Sequence, residues 1–320
     1  MNKTVVSTSP HITHIDTSRG IMLDVILALF PTVLFSLVLF GPRTIILTVV
    51  CAAVCVFSEF ICNKIMKRPI SIGDLSAVVT GILLAMNLPP QIPFWIAALG
   101  CVIAIVVAKQ LFGGIGQNFA NPAITARIAL TISFPVLMTT WSDPGAWWLP
   151  SVDVVSSATP LANPSSYSLT DLLFGITPGC LGETCALLLL AGGIYLVVRK
   201  VISPTIPLCF IGVVYILSFI SCLCDGANFC TALVGALAAI LSGGLFLGAI
   251  FMATDYSTSP TTFRGKIIFG VGCGLLTFII RRFGSLNEGV SFAILIMNIL
   301  VVHINKLTAS KPFGWEGKKC

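Results

Sequence analysis

The sequence predicts an all-α polytopic membrane protein of about ten transmembrane helices in two inverted five-helix repeats. Three observations predict it. The 320 residues are 56% hydrophobic and only 9% charged, against roughly a quarter charged in an ordinary soluble domain. Apolar runs close to the ~20 residues that cross a ~30 Å hydrocarbon core recur along the chain. A polar stretch near the middle divides these runs five and five. The same composition excludes a soluble globular enzyme, a disordered chain and a nucleic-acid binder. The spans must be helices, because an open sheet edge in lipid leaves backbone groups unpaired.

The first run, Ile21 to Phe40, follows a polar arm and ends at Gly41-Pro42. It is too long for the apolar core of a secretory signal, and no small-residue cleavage site follows it. The second is Thr44 to Ile61, and the third, Leu75 to Leu88, is short and stops at Pro89-Pro90. Phe94 to Phe112 and Pro122 to about Met138 complete the first set. Trp141 to Gly182 is rich in Ser, Pro, Thr and Asp. Spans resume with Thr184 to Val198, Pro204 to Cys222, and Phe229 to Met252, the last interrupted by Gly243-Gly244. Lys266 to Ile280 and Val290 to Ile304 are the ninth and tenth. An odd number of spans per set forces the sets into opposite orientations, the arithmetic of an inverted repeat. The expected division is an N-terminal arm (1–20), a first repeat (21–140), a loop (141–182), a second repeat (183–307) and a tail (308–320).

Orientation follows from Lys and Arg. With the N-terminus inside, 15 of the 18 cations fall on the cytoplasmic side, among them Lys64, Lys67, Arg68, Lys109, Arg127, Arg199 and Lys200. Arg43, Arg281 and Arg282 remain outside. The net charge of +6 therefore reports orientation and not an acidic partner. The segment 141–182 has no Lys or Arg and is expected on the outer face, with both termini cytoplasmic.

Two connections place small and polar residues next to spans, each ahead of a proline. One is Gly113 to Pro122, with Asn118 and Asn121; the other is Ala253 to Pro260, with Asp255. Irregular backbone near membrane depth must be buried in protein or line a polar cavity. A site between the halves is one reading, and ordinary capped loops are the other. Ionisable groups inside spans are functional candidates by default, which singles out Asp24 in the first span. Asp24, Asp255, Asn118 and Asn121 form the candidate ion path. Glu59 and Asp74, near Lys64, Lys67 and Arg68, read as surface charges.

Twelve cysteines occur without a C-x-x-C. Cys222, Cys224 and Cys230 are the densest group, and small buried hydrophobes are the simplest account of them. Three histidines, two of them in the polar arm, make a bis-histidine haem implausible. Gly114-x-Gly116 lacks the third glycine and preceding strand of a dinucleotide fold, and there is no P-loop. No catalytic residue and no metal ligand is assigned.

The loop contains Asp153-Val154-Val155-Ser156-Ser157-Ala158-Thr159. It resembles the signature at which flavin transferases attach FMN to threonine as a phosphoester. A hydroxyl on an exposed loop with small neighbours suits that transfer. Further blocks are Arg19-Gly20-Ile21-Met22, Thr80 to Ala85, Phe112 to Asn118, Asn121-Pro122-Ala123, Met252 to Asp255 and Glu288 to Ala293. Together they resemble the D subunits of Rnf ferredoxin:NAD oxidoreductase complexes. The B subunits of Na+-translocating NADH:quinone oxidoreductases are their homologues. The short arm before the first span fits the former better.

The resemblance implies a topology similar to urea and ammonium channels and FMN on Thr159, with Asp153, Ser156 and Ala158 as the surrounding motif. It implies electron relay through that flavin, room for a second, noncovalent flavin such as riboflavin, and coupling to Na+ or H+ transport. It also implies partner Rnf subunits, one with its own covalent FMN, a flavin transferase for maturation, and a bacterial inner membrane. The chain itself carries no NAD, ferredoxin or cluster motif, so it would be a translocase subunit and not a complete enzyme. Trp141, Trp147, Trp148 and Phe174 border the loop as ring-packing candidates, or form an interfacial aromatic belt. The rival readings are a solute or ion channel of the same repeat without a redox role, and a scaffold for redox partners.

Overall fold

The structure is a computed structural model that describes residues 17–69, 71–145, 167–183, 185–284 and 289–309. Asp153, Ser156, Ala158 and Thr159 of the loop motif lie outside the described residues. The first half holds α1 (Ser18–Phe40), α2 (Arg43–Ile65), α3 (Ser76–Met86), α4 (Phe94–Val102) and α5 (Pro122–Ser133). A π-helical segment, Ile103–Gln110, extends α4. Two short helices follow, α6 (Pro135–Met138) and α7 (Leu169–Phe174). The second half holds α8 (Ala186–Val198), α9 (Thr205–Cys224), α10 (Phe229–Leu241), α11 (Leu245–Leu247), α12 (Phe263–Phe283) and α13 (Val290–Thr308). A second π segment, Gly248–Met252, extends α11.

Five helices, α1, α2, α9, α12 and α13, are long and apolar enough to cross a bilayer, and α10 with α11 and its π extension, bent by 60°, passes the same test as a pair, a broken span or a re-entrant loop. Four shorter apolar helices complete the ten expected elements: α3, α4 with its extension, α5 and α8. The breaks have local causes. After Asn87 caps α3, Pro89-Pro90 cannot continue it. Gly243 and Gly244 take φ of +71° and +63° at the bend between α10 and α11, a conformation that favours glycine. Pro135 ends α5 at Ser133, short of the expected Met138. Pro122 occupies the first turn of α5 and Asn121 caps it, accepting from the amides of Ala123 (3.0 Å) and Ile124 (3.4 Å).

The two halves share a packing pattern. In the first half α2 packs along α3 and along α4 with its extension; in the second α9 packs along α10 and α12. Across the boundary α1 meets α8 and α5 meets α13. Small residues permit these contacts, as packing-driven membrane interfaces need. A Cβ on Gly192 of α8 would fall 2.6 Å from the Ala28 carbonyl oxygen of α1.

One end of the bundle carries Lys64, Lys67, Arg68, Arg199, Lys200 and Lys306, as connectivity dictates. At the other end each of the three cations has a partner. Arg43 donates to the carbonyls of Gln91 (3.2 Å) and Ile92 (3.1 Å). Arg282 pairs with Asp225 at 2.7 Å. Arg281 donates to the carbonyls of Ala239 (2.7 Å), Ser242 (3.1 Å) and Gly243 (3.1 Å), the open end of α10. The exceptions to the charge bias are thus structural caps. The roots of the 141–182 loop lie at this second end: the Gly145 amide donates to the Leu39 carbonyl of α1 (2.8 Å). Burial, and secondarily the charge of Asp143, pushes the Tyr167 phenol up.

Candidate functional site

A cavity of about 310 Å³ lies between the halves, toward the cation-rich end. Its apolar wall includes Met22 and Val25 of α1, Leu83 of α3 and Phe251 of the second π segment. Its polar lining is Ser76, Thr80, Lys109, Asn118, Asn121 and, from the turn after the second π segment, Thr254 and Asp255. An apolar pocket with a few convergent polar groups is the usual form of a cofactor site.

The two connections singled out by sequence meet here. The Asn121 amide Nδ2 donates to the Met252 carbonyl (3.2 Å), tying the start of α5 to the second π segment. Asn298 of α13, its amide oriented to satisfy both neighbours, donates to the Thr258 carbonyl and accepts from the Asn121 amide, each at 3.1 Å. The Asp255 carboxylate accepts from Ser257 (3.1 Å) and Thr258 (3.3 Å). Asn118 Oδ1 is buried with no hydrogen-bond partner among the described residues. A buried acceptor left unpaired costs about 1–3 kcal/mol, which marks this carbonyl out among the cavity residues. Asp24 is not at the cavity. It accepts from Tyr195 Oη (2.9 Å) and pairs with Arg199 (3.3 Å), joining α1 to α8.

Glu59 differs from expectation. It is not a surface charge: it is 1% exposed, and Lys109, 2% exposed, pairs with it at 2.9 Å. Gln110 Nε2 (3.1 Å) and Ser71 Oγ (2.9 Å) donate to its other oxygen. Lys109 and Arg127 also leave the cytoplasmic surface count, because both are buried. Arg127 donates to Asn87 Oδ1 (2.6 Å) and Cys180 Sγ (3.3 Å), a polar layer deeper than the cavity. The charge bias toward the cation-rich end survives their removal.

The cysteines divide: those of the first half are buried, whereas Cys224 and Cys230 are exposed and Cys222 is half-buried, so burial does not account for that group. Cys51, Cys55 and Cys101 are buried together, with Cys101 Sγ donating to the Cys51 carbonyl at 3.5 Å. Cys222, Cys224 and Cys230 form no metal-holding group among the described residues. Trp141 is buried at the loop root, whereas Phe174 is exposed.

The sequence matches the NQR2, RnfD, RnfE family over residues 5–314. It is 41% identical to the D subunit of the Na+-translocating ferredoxin:NAD+ oxidoreductase complex of Acetobacterium woodii, over 97% of this chain and 95% of the relative. It is 40% identical to the D subunit of the proton-translocating ferredoxin:NAD+ oxidoreductase complex of Clostridium ljungdahlii, over 97% and 96%. The D subunit of the ion-translocating oxidoreductase complex of Escherichia coli is 33% identical over 97% and 98%. With a family match across almost its whole length and the motif blocks on both walls of one cavity, the chain belongs to the NQR2, RnfD, RnfE family.

Proposed function

We propose that this chain is the membrane flavoprotein subunit of an ion-translocating ferredoxin:NAD+ oxidoreductase complex. It relays electrons through FMN held as a phosphoester on Thr159, and the complex couples their passage to Na+ or H+ movement. The observation that carries the reading is likeness along 97% of the chain to relatives named as D subunits of such complexes. The chain works as part of a translocase, with other Rnf subunits on its lipid-exposed faces and a flavin transferase for maturation. The cation-rich end and both termini face the cytoplasm of a bacterial inner membrane. The 141–182 loop, between the repeats at 21–140 and 183–307, then lies on the outer face. Asp153, Ser156 and Ala158 shape the site at which the transferase loads Thr159.

The central cavity suits the second, noncovalent flavin. At about 310 Å³ it lies at the small end of ligand pockets. Its apolar walls fit a flat ring, and the unpaired Asn118 carbonyl fits a ring N–H donor. Bound there, a flavin supplies one- and two-electron storage between partners. Asn118, Asn121 and Asp255 at the same mouth, with Asp24 apart on α1, are the ion-path candidates. The coupling ion stays open, since relatives of nearly equal identity are named for Na+ and for protons.

Asn118→Ala is expected to lower the acid-extractable flavin of the purified complex about tenfold, with covalent flavin unchanged. Acid extraction followed by chromatography checks it. The functional reading itself is tested in inverted vesicles. Reduced ferredoxin should drive NAD+ reduction and a membrane potential, both lost on deletion of this chain. Retention of both after deletion contradicts the reading, and the Na+ dependence of the potential identifies the ion.

A further inference from the structure

The Glu59–Lys109 pair sits where two environments meet. Lys109 and Ser76 line the central cavity. Lys109 Nζ donates to Ser76 Oγ at 2.7 Å and to Glu59 Oε2 at 2.9 Å. The other carboxylate oxygen accepts from Ser71 Oγ at 2.9 Å. Ser71 is only half-buried, at the cation-rich end between α2 and α3, and accepts from Asn63 Nδ2 at 3.0 Å. The run Ser71, Glu59, Lys109, Ser76 is therefore a continuous set of hydrogen bonds from the half-buried Ser71 hydroxyl to the cavity, with no step longer than 2.9 Å.

Stability does not account for it. An apolar pair of similar volume packs as well as a buried ion pair or better. Ionisable groups inside spans are rare and tend to mark proton or ion pathways. The residue types fit proton passage. A desolvated lysine can release its proton, which an arginine cannot. The local backbone also serves the arrangement: in the π segment the consecutive residues Lys109 and Gln110 both reach the one carboxylate, and such segments often occur at functional sites.

We propose that Ser71, Glu59, Lys109 and Ser76 form a proton relay from the cation-rich surface to the central cavity, with Lys109 as its internal donor. The inference rests on the cavity being a flavin site. When an acceptor in the cavity takes up a proton, the Ser76 O–H bond breaks toward it and a Lys109 Nζ–H proton replaces the one lost. The amine is then neutral beside Glu59. A proton from water enters through Ser71 onto Glu59 Oε1; the carboxyl turns and passes it to Nζ, restoring carboxylate and ammonium. One proton has crossed from surface to cavity, and the relay residues carry no electrons. The electrons come from the ferredoxin side of the complex.

The test uses the purified whole complex, with Ser76→Ala, Ser71→Ala and Lys109→Arg variants. All three keep a cation and a carboxylate paired at the core. Proton uptake after rapid reduction by ferredoxin is followed with a pH-indicator dye, and acid-extractable flavin is measured in parallel. Each variant is expected to slow uptake per bound flavin tenfold or more, with flavin content unchanged in Ser71→Ala, whose residue lies outside the cavity lining, and Ser76→Thr, which restores a hydroxyl, is expected to recover it. Full flavin content with uptake within twofold of the parent rate in all variants overturns the relay alone. Absence of extractable flavin from the parent complex overturns the cavity reading, and the relay with it.

Discussion

Glu59→Gln is expected to destabilise the chain by about 3–5 kcal/mol, the usual consequence of removing one partner from a buried ion pair. Lys109 would be left at 2% exposure with only the Ser76 hydroxyl and a neutral amide as neighbours. The loss is not the worth of the pair but the cost of leaving one ion uncompensated. The double variant Glu59→Leu with Lys109→Met should therefore recover most of the stability while abolishing the relay. Thermal unfolding in detergent, read on single and double variants, checks both. A double variant no more stable than Glu59→Gln would show that the pair itself holds α2 to the extension of α4.

The second large effect is expected at Arg281. The bend at Gly243-Gly244 leaves the last carbonyls of α10 without partners of their own helix, in a region poor in water. Arg281 satisfies the Ala239 carbonyl of α10 and the Ser242 and Gly243 carbonyls just beyond its end, and its charge complements the negative end of the helix dipole. Arg281→Ala should cost about 3 kcal/mol or more, because hydrogen bonds to charged groups are the strong ones and the carbonyls are left unpaired. Arg281→Lys should recover part of it, since an ammonium lacks the planar fork that reaches several carbonyls at once. Thermal unfolding in the same detergent measures the difference, and equal stability of parent and Arg281→Ala contradicts the capping role.

Much of the architecture is legible from hydropathy and proline alone. Ten apolar helical elements and the interruption at Gly243-Gly244 appear as expected. Hydropathy shows the third run as short but overextends α5, because Phe134 and the apolar residues after Pro135 carry the run past Ser133. It does not reveal the π segments, which depend on how Lys109 and Gln110 are held from α2. The cavity residues Asn118, Asn121 and Asp255 stand out because polar residues beside a span-ending proline need an explanation. Glu59 does not, since its neighbours Lys64, Lys67 and Arg68 offer a sufficient account; its true partner is 50 residues away. The sequence does hold a clue: Lys109 closes an apolar run at the depth where Glu59 closes the neighbouring one. Asp24 draws notice for its depth in α1, yet the structure gives it Tyr195 and Arg199 as partners across the two halves.

The proposed role of this chain rests above all on a flavin bound to Thr159. The most direct measurement is fluorescence of the denatured chain on a gel, after production together with its flavin transferase. The parent band should stay fluorescent, with an intact mass raised by one FMN less water. Thr159→Ala should reach the membrane in equal amount and be dark. A dark parent band with the transferase present, or a fluorescent Thr159→Ala band, would contradict the account.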